Sequence, residues 1–328
     1  MNGSFKLKID NQNWIRHAAI NRLQTLTLLL FLAGYLALLG WILWGADGIF
    51  MLMVFGVLLV LFSPTASPQL VMRLYRARPI TKNEAPQIYQ ALHELSRRAG
   101  LDDFPAPYYL PTNVINAFAV GTRDKSAIAI TDGLIRALDW RELVGVLAHE
   151  VSHIRNNDIR VMGLADMASR FTSTLSTIGQ ILLLLNLPLI LFSDQHINWW
   201  AVFILLFAPQ ISALAQLGLS RVREYDADLN AVMLTGDPEG LARALVKLEK
   251  SQNSLWRRVF MPGYRIPEPS LLRTHPPTEE RVKRLLELKG DFHPSVITQP
   301  YRNMFDAWDL GSGQRIRKPR WHISGLWH

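Results

Sequence analysis

The chain has 328 residues, enough for one or two domains with a substantial core. Lys+Arg 35 against Asp+Glu 27 gives a formal charge of +8, yet the basic residues flank hydrophobic stretches instead of gathering on one folded block. An anionic cytoplasmic leaflet selects that placement, which argues against nucleic acid as a partner, and the absence of cysteine excludes disulfides and thiolate metal ligands.

Residues 1–22 are polar and basic and read as a cytoplasmic N-terminus. Leu23–Trp44 is an apolar run long enough to cross a bilayer and too long for a signal-peptide core, so it reads as a signal anchor. A tight connection, Gly45-Ala46-Asp47-Gly48, leads to Ile49–Phe62, which is short for a span unless Pro64–Met72 continues it. Residues 23–72 are therefore expected to form a first transmembrane hairpin. Arg73, Arg76, Arg78 and Lys82 follow at once, whereas the turn carries one acid and no Lys or Arg. The positive-inside rule then puts the N-terminus and everything beyond residue 73 in the cytoplasm.

A first catalytic segment is expected over residues 73–170. Thr81 and Glu84 form a capping-box signature ahead of Ile88, Leu92 and Leu95 at helical spacing, with Gly100 as a stop. Pro107–Leu110, Asn116–Gly121 and Ser126–Thr131 read as strands, the last two as a hairpin across the polar turn Thr122–Lys125. Asp139, with Glu142 three residues on, opens a helix whose buried face is Leu143, Val146, Leu147 and Val151. That helix carries His149-Glu150-Val151-Ser152-His153. Residues four apart lie one turn above each other, so both imidazoles can reach a single ion. Glu150, about 100° around the helix, can reach a water there without being a ligand. With 9 His and 11 Glu in the chain, chance supplies on the order of 0.01 such H-E-x-x-H motifs, so coincidence is a poor account.

A second long helical segment begins after Asp158 and becomes wholly apolar at Leu175–Phe192. After Ser193–Asn198 comes another apolar run, Trp199–Leu219, with Gln210 and Gln216 expected to face a protein interior. Arg155, Arg160 and Arg170 precede the pair and Arg221 and Arg223 follow it, so residues 171–219 read as a second hairpin with its turn outside. Residues 220–290 then return to the catalytic part. In SRVREYDADLNA, Glu224 and Asp228 are four apart on a helical segment. One carboxylate can complete a metal site, and the other can accept the free N–H of a ligand histidine. The competing reading is an acidic face balanced by Arg221 and Arg223. Asp237-Pro238 starts a helix to Lys250, and Thr274-His275-Pro276-Pro277 leads into a last helix, Glu279–Lys289. Residues 291–328 mix basic residues with Trp and read as a solvated, disordered tail.

HEVSH at 149–153, SRVREYDAD and THPPTEERVKRL resemble, in order and context, the HtpX-type integral-membrane zinc metalloproteases, whose relatives include the CAAX prenyl endopeptidases. The resemblance runs from about residue 10 to 290 and implies one zinc ion per chain, with His149, His153 and Glu224 as ligands and Glu150 as general base. It implies a supporting role for Asp228 beside the ligands, an edge strand at Asn116, Ala117 and Phe118 that hydrogen-bonds substrate backbone, and a steadying role for His275 toward the tetrahedral intermediate. The fold it implies is mainly α with a small β-sheet (α+β). A zincin-like, gluzincin catalytic domain would be combined with four transmembrane helices in two hairpins. The expected activity is endoproteolysis of misfolded or damaged membrane proteins at the cytoplasmic face of a bacterial inner membrane, as quality control under stress. Expected partners are membrane-protein substrates and the lipid bilayer, with a homo-oligomer or other membrane proteases as candidates. A processing protease for prenylated C-termini and a non-catalytic membrane scaffold are the competing readings. The CAAX enzymes carry more spans, and a silent scaffold has no chemical need for His149, Glu150, His153 and Glu224 together.

Overall fold

Helix α1, Gln12–Leu61, is interrupted at Gly45, whose φ of 64° suits a residue without a Cβ. The computed structural model describes residues 12–61, 67–192, 198–252, 278–288 and 298. The chain folds back at Gly45. Gly40 and Gly48, about 12 Å apart along a straight helix, lie in such close backbone contact that a Cβ on Gly48 would meet the Gly40 carbonyl oxygen. The turn falls at the glycines where the sequence pattern puts one. Pro68–Leu74 does not lengthen its second arm. It forms a separate helix, α2, whose buried Met72 packs with Leu110, Phe118 and Val120 of the sheet.

The sheet is four-stranded. Strands β1 (Arg78–Pro79), β2 (Ala106–Leu110), β3 (Ala117–Gly121) and β4 (Ser126–Thr131) lie in the order β1-β2-β4-β3. β3 and β4 are the expected antiparallel hairpin, and β2 runs parallel to β4, which leaves β3 on an edge. Alternation along β4 sends Ile128 and Ile130 into the main core and Ala127 and Ala129 to the opposite face, beside Met72. Helix α3 (Pro86–Ala99) stops at Gly100 in the left-handed conformation, as its sequence predicts. Its start differs from expectation. Thr81 and Glu84 do hydrogen-bond, Thr81 N donating to Glu84 Oε2 at 2.7 Å and the Thr81 hydroxyl at 2.9 Å, but they close a turn, and the helix begins later at Pro86, which needs no N–H partner at that position.

The short helix α4, Asp132–Ala137, leads into α5, Trp140–Arg155. α5 has the full capping box, with Glu142 N donating to Asp139 Oδ1 and Asp139 N to Glu142 Oε2, both at 2.9 Å. α5 lies in the middle of the main core, its Leu143, Leu147 and Val151 packed with Ile88 and Leu92 of α3, Ile128 and Ile130 of β4, and Leu241 further on. Then come α6 (Asp158–Phe192), α7 (Trp199–Thr235), α8 (Pro238–Gln252) and α9 (Thr278–Glu287). α7 continues unbroken through Pro209 from its apolar first half to its acidic second half. Leu28, Leu32, Met162, Ala165, Ala215 and Leu219 hold α1, α6 and α7 together. Among the described residues, two stretches are long and apolar enough to cross a membrane, Ala18–Val54 and Trp199–Thr235, where the sequence pattern predicts four spans.

Candidate metal centre

Two elements meet at one point. α5 presents His149 and His153 one turn apart, and α7 crosses behind them with Glu224. The two imidazoles turn their Nε2 atoms toward each other at 3.1 Å. Glu224 closes the triangle, Oε2 lying 3.3 Å from His149 Nε2 and Oε1 3.6 Å from His153 Nε2. One ligand atom from each of the three residues falls within 4.8 Å of the others.

The opposite ring nitrogens are also held. His153 Nδ1 donates to Asp158 Oδ2 at 2.8 Å, and His149 Nδ1 lies 3.0 Å from Asp228 Oδ1. With the Nδ1–H of His153 directed at Asp158, its Nε2 carries a lone pair, and that atom, His149 Nε2 and the Glu224 carboxylate converge on one point. Such a convergence of acceptors repels itself unless a cation sits among them. Protonation shows the same demand for positive charge. Burial by itself would push His149 down, but the Asp228 and Glu224 carboxylates outweigh it and raise the imidazole to about 10. His153 is raised too, Asp158 overcoming its burial. Two imidazoles and a carboxylate in tetrahedral reach of one point fit a borderline-soft divalent ion.

Behind the triangle stands a residue that sequence reading missed. Arg281 on α9 is 3% exposed. It grips Asp228 with two parallel hydrogen bonds of 2.7 Å, and its Nη1 reaches Glu224 Oε2 at 3.0 Å. Burial would lower this guanidinium, but the two carboxylates hold it firmly charged. Asp158 was also missed; its second oxygen accepts from Arg223 of α7. The competing reading, an acidic face balanced by Arg221 and Arg223, is not what the fold forms. Arg281, far along the chain, does that work, and Arg223 serves Asp158 and Asp226. In sequence, Arg281 is one more base on an amphipathic helix, and nothing local sets it apart.

Glu150 sits between the triangle and the edge strand, its Oε2 accepting from the backbone N–H of Ala119 at 2.9 Å. Asn116, Ala117, His149, Glu150 and Arg281 line one cleft, with Val146, Leu241 and Leu245 as its apolar wall. Phe118 follows Ala117 on β3. Strand alternation turns its ring to the other face of the sheet, 5.1 Å from Tyr75, so any part it plays at the cleft is through its backbone. His275 lies outside the described residues.

The pattern of known proteins agrees with this geometry. The family model described as "Peptidase family M48" matches residues 82–289. A "Protease HtpX homolog" from Thermococcus sibiricus is 34% identical over 284 residues, covering 81% of this chain and 95% of the relative. One from Acaryochloris marina is 36% identical over 302 residues, covering 84% and 98%. Among solved structures, that of Ste24p from S. mikatae is similar with a TM-score of 0.40 and 20% identity, over 83% of this chain and 66% of the other. These relatives are named as proteases, and the alignment spans nearly their whole length. This chain belongs to peptidase family M48.

Proposed function

We propose that this metalloprotease is a zinc-dependent endopeptidase embedded in the bacterial inner membrane. Its substrates would be membrane proteins that present unfolded or flexible segments at the cytoplasmic face. The observation that carries the proposal is the position of Glu150, in contact with the edge strand at Ala119 and next to the His149–His153–Glu224 triangle.

His149, His153 and Glu224 would hold the zinc ion, with Asp228 and Asp158 fixing the two rings. Bound there, zinc supplies Lewis-acid polarisation of a carbonyl and lowers the pKa of water toward about 7. Glu150 takes the proton of the attacking water and returns it to the leaving amine. In the free protein the Ala119 N–H holds that carboxylate, which keeps it on the cleft side of the strand. An extended substrate would add to the β3 edge beside Asn116 and Ala117, pairing through its backbone. Backbone pairing selects for extended, unfolded segments over particular side chains. His275, by its resemblance to the family motif, would donate to the developing oxyanion. The four-span arrangement, with both hairpin turns outside, is supported by the fold-back at Gly45 and by the basic flanks of each apolar pair.

The test is Glu150→Gln in the full chain. It should retain zinc, because the ligands are intact, and lose peptidase activity on an unfolded membrane substrate by about 10²–10⁴-fold. Near-normal turnover by that variant would overturn the mechanism.

A further inference from the structure

Asn21 is a polar residue on the apolar helix α1, far from the metal centre in sequence and outside the stretch matched by the M48 model. It is 1% exposed. Its Nδ2 donates to Asp226 Oδ1 of α7 at 3.0 Å. Asp226 Oδ2 in turn lies 3.1 Å from Arg223 Nη1. One turn along α1 from Asn21, the Thr25 hydroxyl faces the same Nη1 at 3.5 Å. Arg223 reaches Asp158, and Asp158 holds His153 at Nδ1. Asp158, Arg223 and Asp226 are all buried. A single unbroken file of buried polar groups therefore runs from the N-terminal helix to a metal-facing imidazole.

The file contains two carboxylates and one guanidinium, so Arg223 is shared. Asn21 supplies the donor that Asp226 would otherwise have to draw from Arg223. Without it, Arg223 shifts toward Asp226 and loosens its hold on Asp158, and with it the orientation of His153. We infer that Asn21 is a positioning residue for the metal centre: through Asp226, Arg223 and Asp158 it fixes the His153 ring, so that helix α1 helps to retain the metal and is more than a membrane anchor. The inference rests on His153 being a ligand, as proposed above.

The experiment uses the full chain in detergent or vesicles, loaded with zinc, and measures the rate of zinc loss to a chromogenic chelator. It also records the visible spectrum of the cobalt-substituted protein, which reports ligand geometry directly. Asn21→Asp and Asp226→Asn each break the donor–acceptor match, and the double variant restores it with the partners exchanged. Asn21→Asp should release zinc about 10-fold faster, the low end of the effect of groups that orient metal ligands, because it sets a second carboxylate beside Asp226 and draws Arg223 away from Asp158. Asp226→Asn removes the carboxylate that competes for Arg223 and should release zinc no faster than wild type. The double variant should release zinc within about 2-fold of wild type and recover the wild-type cobalt spectrum. Asn21→Ala removes the donor without adding charge and should behave like Asn21→Asp. Thr27→Ala, on the same helix but exposed and bonded to the Leu23 carbonyl, should be unchanged. Wild-type release rates in both Asn21 variants, or a double variant as leaky as Asn21→Asp, would overturn the inference. A wild-type protein that binds no zinc would overturn the metal assignment itself, a separate result.

Discussion

His149 and His153 are backed by different carboxylates, and the difference decides how each site residue should respond to substitution. Asp228 lies behind His149 and is clamped by Arg281, whereas Asp158 lies behind His153 and is shared with Arg223. Glu224 faces both Nε2 atoms, so no neighbour can replace it. Glu224→Ala should therefore lose most bound metal, while Asp228→Ala should keep the three ligands and weaken metal affinity by about 10–100-fold. Competition titration with a zinc indicator checks the ranking, and full zinc retention by Glu224→Ala would move the third ligand elsewhere. The spacing of four between His149 and His153, and between Glu224 and Asp228, is readable from sequence because helix periodicity alone puts each pair on one side. Arg281 is not readable. Its partners are more than fifty residues away, and only the packing of α9 on α7 brings its guanidinium to them.

At the scale of elements, the junction of α5 and α8 shows how capping and tertiary contact combine. Asp237 caps α8 by accepting from Gly240 N at 3.0 Å, and it also takes two hydrogen bonds of 2.7 Å from Arg141 in the first turn of α5. Burial pushes the Asp237 carboxyl up, but Arg141 and the Gly240 amide outweigh it and hold it below the usual carboxylate range. The stability this contributes is complete above the unfolded carboxylate value of about 3.9 and is lost as pH falls through the lower folded value. Asp237→Asn keeps a cap but removes the charge. It should cost about 1.5–3 kcal/mol at pH 7, and its gap from wild type should close as the pH drops below about 4. Denaturant unfolding at pH 7 and pH 3 measures this, and a gap independent of pH would refute it. The cap itself is legible in Gly236-Asp237-Pro238, but the Arg141 clamp is not. The Thr81–Glu84 signature shows the converse: its hydrogen bonds form, yet Pro86 sets the helix start.

Over the whole molecule, α7 joins membrane to chemistry. Leu219 ends its apolar run, and Glu224 follows about 7–8 Å further along the same axis. The metal centre is thereby held close to the edge of any bilayer that the apolar half of α7 crosses. This geometry supports substrates that reach the site as loops or tails of membrane proteins, since a chain must leave its spanning helix before an edge strand can pair with it. Sidedness is directly testable because the chain has no native cysteine. Single cysteines at two exposed positions, Asp47→Cys in the first hairpin turn and Asp102→Cys beyond α3, should behave oppositely. An impermeant maleimide added from outside should label the first in intact spheroplasts and the second only after lysis. External labelling at 102 would invert the orientation.

Sequence by itself determined the chemistry and the local elements. The H-E-x-x-H helix, its capping box, the β3–β4 hairpin and the fold-back at Gly45 depend on neighbours within a few turns, so local periodicity and turn residues specify them. The family followed from three motifs in order. Only the tertiary structure decided that β2 pairs parallel to β4, its neighbour in the sheet but not in the sequence. It also decided which arginine neutralises Glu224 and Asp228, and that Asp158 stands behind His153. Buried charges must find partners wherever the fold brings them, and sequence distance places no limit on that search.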